Sequence, residues 1–231
     1  MSNRLKSFRG PSTPSPSPVQ HPQGKGQITP SSPSRQIEST FHRKTRTLLQ
    51  ELRSTSETWD DLVLLDGLKS ATQLVDTRTE LENSLKMIPN GLPRTHLVRP
   101  QLAIMDNCIE KLDAVIRKLR KQFQKMNTIM DNLDALLIEA HKTRGCKWAQ
   151  EEPLWVTWSL ERFVTQIGAI LRPYHRSLHF HIELVDKLRS HDVSFEDSRD
   201  IINQWTQQSW LAEDGWSAAW EDLCEVEVEK W

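Results

Sequence analysis

Glycine, tyrosine and cysteine are scarce in this sequence, with eight, one and three residues in 231. So few glycines leave no Gly-rich phosphate loop following a strand. There is also no metalloprotease helix motif and no nucleophile elbow. Cys108, Cys146 and Cys224 are odd in number and widely separated, which points to unlinked thiols in a reducing compartment and not to a disulfide framework or zinc site. No long apolar run and no charged-then-apolar leader pattern is seen, so the expected location is nucleus and cytoplasm, away from membranes. Net charge is −1, which favours neither a nucleic-acid binder nor a membrane-surface protein.

Leu, Glu, Lys and Gln are plentiful, and such straight-chain residues lose little rotamer freedom in a helix. The charge balance hides a gradient. Residues 1–37 carry five Lys/Arg and no acid, whereas residues 192–231 carry eleven Asp/Glu and two Lys/Arg. The acidic end argues against direct nucleic-acid binding there, since phosphates would be repelled.

Three regions follow. Residues 1–37 hold seven of the twelve prolines and too few apolar side chains to offset the entropy of ordering, so a disordered Pro/Ser-rich arm is expected. Residues 38–144 read as a coiled-coil helical hairpin, and residues 145–231 as a small Trp-rich helical region. The fold class is all-α.

In the hairpin, helical spacing runs from Phe41 through Leu48, Leu52, Trp59, Leu62, Leu68, Leu74, Leu81 and Leu85. Gly67 weakens its middle by about 1 kcal/mol relative to Ala, leaving one bent helix or two. Ile88-Pro89-Asn90-Gly91-Leu92-Pro93 ends it in a loop. Then Leu102, Met105, Ile109, Leu112, Ile116, Leu119, Phe123, Met126, Met130, Leu133, Leu137 and Ala140 follow at alternating steps of three and four. A seam with that period stays on one face only if the helix supercoils against a partner. A helix from about Val98 to Thr143 would be roughly 69 Å long, and the preceding helix is expected to lie antiparallel along it.

Gly145 is a stop. Ser159 can cap a third helix, with Leu160, Phe163, Ile167, Ile170, Tyr174, Leu178, Val185 and Leu188 on one face and Pro173 kinking or splitting it. Ser194 with Asp197 resembles a capping box for a fourth. A last amphipathic piece carries Trp216, Trp220 and Leu223.

The chemically suggestive groups all have an ordinary structural explanation. His175 and His179 stand one helical turn apart, but His181 points elsewhere and no neighbouring carboxylate completes a metal set. Arg117, Lys118, Arg120, Lys121 and Lys125 form a basic run that suits the wet face of a coiled coil, or a dock for an acidic surface or RNA. Asp60-Asp61 suits a solvated helix. No catalytic, metal, cofactor or small-molecule site is assigned. Eight of nine Trp lie at or beyond position 148, and Trp both anchors interfaces and fills small cores. Trp210 and Trp216 are the pair taken to face a partner. In the arm, Thr13, Ser15, Ser17, Thr29 and Ser32 each precede Pro, as in minimal sites for proline-directed kinases. Phosphate there would add about −1.5 to −2 charge per site.

Pro153-Leu154-Trp155-Val156-Thr157-Trp158 resembles the Pro-Leu-aromatic-x-Thr-Trp segment of the cyclin-dependent kinase 2-interacting protein family. Tyr174 and Leu178 fall where that family has Tyr then Leu at helical spacing. Trp205-Thr206-Gln207-Gln208-Ser209-Trp210-Leu211 is similar to its Trp-x-x-Gln-x-aromatic-aliphatic segment, with Ser209 in place of Pro. Trp59-Asp60-Asp61-Leu62-Val63 is similar to its Trp-x-x-Leu-aliphatic helix. The resemblance covers about residues 40–225. It implies a non-catalytic helical adaptor that joins a related helical subunit to a cyclin-dependent kinase, replication and checkpoint complex, or to an AAA+ ATPase serving ribosome maturation. Trp59, Leu62, Trp158, Trp205, Gln208, Trp210 and Trp216 are its candidate partner-binding residues. The heptads alone would equally suit a structural subunit of a spindle or kinetochore assembly.

Overall fold

The computed structural model describes residues 38–89, 93–169, 171–190, 192–212, Trp220 and Leu223. The arm with its five phosphate candidates, Thr13, Ser15, Ser17, Thr29 and Ser32, lies outside these, as do Trp216, Ile170 and Cys224. The described residues are helical apart from short connections, and the only strand-like pairing among them is an isolated bridge between Pro153 and Ser159. No helix among them is long and apolar enough to cross a membrane.

The first column starts at α1 (Thr40–Asp61), where Ser39 accepts from the His42 N–H. It passes through a π-helical turn (Leu62–Gly67) into α2 (Leu68–Met87) without leaving helical geometry. The choice between one helix and two therefore resolves as one helix carrying a π-turn. This turn inserts one residue and rotates everything beyond it. Helix α3 (Thr95–Thr143) is the longest element, beginning three residues before the expected Val98. Lys44 pairs with Glu139, Glu51 with Lys125 and Asp66 with Lys118. Early residues of the first column thus sit against late residues of α3.

The buried surface of α3 is wider than a two-helix seam. Met105, Leu112, Leu119, Met126, Leu133 and Ala140, seven apart, are all buried. A second row, Cys108, Val115, Ile129 and Leu136, is also buried. It meets the first column: Leu136 shares a groove with Leu48, and Val115 shares one with Ser70. A third row, Ile109, Ile116, Phe123, Met130 and Leu137, is buried or half-buried. It meets the Trp-rich region instead. Phe123 lies 5.5 Å from the His175 ring, Met130 reaches Gly168, and Ile109 shares a cavity with Leu188. The alternating three-four pattern therefore marks a helix clasped from two sides, since two neighbours bury a broader stripe than one. Leu102 is 36% exposed, so the seam begins at Met105.

Arg144 ends α3, and Gly145 follows at φ +92, a conformation that L side chains rarely adopt. Then come α4 (Cys146–Glu151), α5 (Leu160–Gly168), α6 (Leu171–Arg189), α7 (Phe195–Gln207) and α8 (Ser209–Ala212). Ser159 and Ser194 cap α5 and α7 as expected, accepting from the N–H groups of Arg162 and Asp197. The break falls before Pro173, which sits in the first turn of α6, where a missing N–H is not needed. Among the described residues, those from Glu38 onward make one compact unit, so the Trp-rich region shares its core with the long helices.

Candidate protein-binding surface

Seven tryptophans are described, and they divide into two groups. Trp59 and Trp205 are fully buried, and Trp155 and Trp220 nearly so. Trp148, Trp158 and Trp210 are half-buried.

Trp59 meets Tyr174 edge-on, with ring centroids 5.1 Å apart, pinning α1 to α6. Trp205 crosses from α7 to the π-turn, where its Nε1–H donates to the Val63 carbonyl at 2.9 Å. Leu62 lies in the same core. These three expected partner-binding residues are corrected to structural ones, because side chains closed off from solvent cannot meet a second protein without unfolding. Gln208 is half-buried in a left-handed conformation at φ 40 and donates to Asp60 at 3.1 Å. Asp60 is pushed above its ordinary carboxylate value by burial, opposed by that hydrogen bond and reinforced by neighbouring Asp61. Gln208 therefore fastens the end of α7 to α1.

Trp158 and Trp210 differ from the buried tryptophans. The Arg162 guanidinium lies 4.6 Å from the Trp158 ring centroid, and Arg176 lies 5.3 Å from that of Trp210. Both arginines are exposed, and Val156, near Trp158, is 43% exposed. Each site offers an apolar ring face and a planar cation, the residue types enriched among interface hot spots. The local fold sets this up. The Leu154 N–H donates to the Trp158 carbonyl at 2.9 Å, closing the loop before α5. One turn into that helix, Arg162 comes back over the ring. Phe163, 5.3 Å away, supports the ring from inside.

The histidines separate. His175 and His179 lie together on the exposed face of α6, ring centroids 4.5 Å apart. His181 is fully buried against Trp205 at 4.7 Å, its Nδ1 2.8 Å from the Ser177 carbonyl. Among the described residues no three His, Cys, Asp or Glu come together as a metal site. The basic run divides as well. Lys118 and Lys125 turn to the first column and pair with Asp66 and Glu51, while Arg117, Arg120 and Lys121 form no ion pair among the described residues.

Sequence spacing missed the exposed Leu64 and Leu65, at 37% and 63%. Four consecutive apolar residues, Leu62 to Leu65, were the available signal, since no helix can bury four in a row on one face. No family model matches the chain, and no curated protein matches it.

Proposed function

We propose that this protein is a non-catalytic helical adaptor that holds protein partners together, with Trp158–Arg162 and Trp210–Arg176 as contact points. The observation that carries this is the placement of these two tryptophans. Both stay at the surface under exposed arginines, while four others are spent on the core. A half-exposed Trp gives a large anchor with few rotatable bonds, and Arg adds a stacking cation that is weakly hydrated.

The long helices, as an antiparallel hairpin, act as the stiff frame. The short segments similar to the cyclin-dependent kinase 2-interacting protein family name the class of partner: a related helical subunit, and an AAA+ ATPase or cyclin-dependent kinase complex in nucleus and cytoplasm. Trp158 and Trp210 both belong to those segments, which ties the resemblance to the surface side chains.

The test is affinity capture of the tagged full chain from native extract, followed by mass spectrometry, with Trp158→Ala and Trp210→Ala beside the wild type. Capture of a helical subunit with an ATPase or kinase complex, reduced in both variants, is the expected result. Recovery of the chain alone, or of the same partners undiminished in both variants, defeats the proposal.

A further inference from the structure

An open groove of about 800 Å³ runs along the outer face of α2 beside the start of α3. Leu64, Leu65 and Leu68 line one end, and Ile104 lies with Asp76 and Glu80 towards the other. Ion pairing of Lys118 with Asp66, and the cavity shared by Met105, Leu74 and Arg78, fix this register. They place Ile104 level with the second half of α2. Leu65 is 63% exposed, Leu64 37% and Ile104 38%. Exposed apolar side chains thus stand at both ends of the groove, and clustered exposed leucines such as Leu64 and Leu65 are the kind of surface that marks an interaction site.

The charges in the groove name the occupant. Lys69 and Asp76 are opposite in sign and one heptad apart on the same face, and Glu80 follows one turn later. None of the three makes an ion pair among the described residues. Suppose α2 meets another α2 antiparallel, about a two-fold axis between Thr72 and Gln73. Lys69 then faces Asp76 of the second copy, and the same pair recurs on the other side of the axis. An isologous interface requires this reciprocity: if residue i meets j, j meets i. The same rotation brings the leucine end of one groove onto the Ile104 end of the other, with the aliphatic stem of Glu80 beside Leu65.

We propose that the α2 groove is the interface of a homodimer, with a second copy of this chain as its occupant. The π-turn is what makes it available, because the inserted residue turns Leu64 and Leu65 out of the core while Gly67 stays within it. This surface is separate from the Trp158 and Trp210 sites, so the two proposals fail independently.

Sedimentation velocity on the purified full chain, across micromolar concentrations, tests it. The expected result is a concentration-dependent dimer that Leu65→Asp abolishes. Lys69→Glu and Asp76→Lys alone each place like charges opposite one another and raise the dissociation constant about tenfold or more. The double variant Lys69→Glu/Asp76→Lys restores dimerisation, because only a two-fold pairing of these residues is rescued by the swap. All three substituted positions, Leu65, Lys69 and Asp76, are exposed on the groove wall, and circular dichroism confirms that each variant is folded. A monomer at every concentration overturns the proposal. So does a dimer indifferent to Leu65→Asp, or a double variant no better than the singles.

Discussion

The indole of Trp205 occupies the space that a side chain at position 67 would need: a β-carbon on Gly67 would come within 2.5 Å of its Cζ2. The same indole donates to the Val63 carbonyl within the π-turn. A residue 142 positions away in sequence thus braces the irregular turn of the first column. Glycine is present here for close approach, since its own backbone is ordinary right-handed helix.

Gly67→Ala sets two effects against each other. Helix propensity favours Ala by about 1 kcal/mol. Overpacking against a rigid, fully buried indole costs about 1–3 kcal/mol, and the carbonyl of Leu62, at 3.0 Å, closes the other side. We expect a net loss of stability in chemical denaturation. Placing Gly67→Ala in a Trp205→Leu background should remove the clash and leave the substitution neutral or stabilising. Non-additivity of that size is the signature of direct contact. An unchanged denaturation midpoint for the single variant would refute the packing described.

Sequence revealed what depends on local pattern and concealed what depends on distant contacts. The seven-residue rows of α3 were visible because burial of a continuous stripe leaves a period. The caps at Ser159 and Ser194 were visible because the cap is chemistry of adjacent residues. How many helices share the stripe was not visible: Ile116 and Phe123 read the same whether they face one neighbour or two. The π-turn was equally hidden, since the indole that packs on it, Trp205, comes from a distant part of the sequence. Trp59, Trp158, Trp205 and Trp210 have the same side chain, and only packing assigns two to the core and two to the surface.

His181 should make the protein acid-sensitive. Burial lowers its pKa below the ordinary 6.5, and the nearby backbone of Ser177 and Trp205 offsets part of this. Its Nε2 has no hydrogen-bond partner among the described residues, so a second ring proton would be added inside the core. The unfolded chain binds that proton more readily than the folded one. This contribution to stability is therefore complete above the unfolded pKa and is lost as pH falls from there towards the folded pKa. Urea midpoints measured from about pH 8 down to about pH 5.5 should fall across that window, and fall less in His181→Gln. Equal slopes for the two proteins would assign the acid sensitivity elsewhere.

The broad buried face of α3 predicts a graded response to substitution along it. Leu119, in the central row, is fully buried, and Leu119→Ala should cost about 2–5 kcal/mol, a transfer term plus a cavity. Ile116 lies in the row facing α6 and is 7% exposed. Ile116→Asp places an unpaired charge between α3 and the Trp-rich helices, at a cost of several kcal/mol unless the carboxyl protonates. Leu102 lies before the clasp begins, and Leu102→Ala should change stability by no more than about 0.5 kcal/mol. Melting temperatures of the three variants separate this arrangement from a two-helix seam, which would give Leu102 a share of the buried interface. A large loss at Leu102, or an unchanged melting temperature for Ile116→Asp, would mean that α3 is not held between two neighbours.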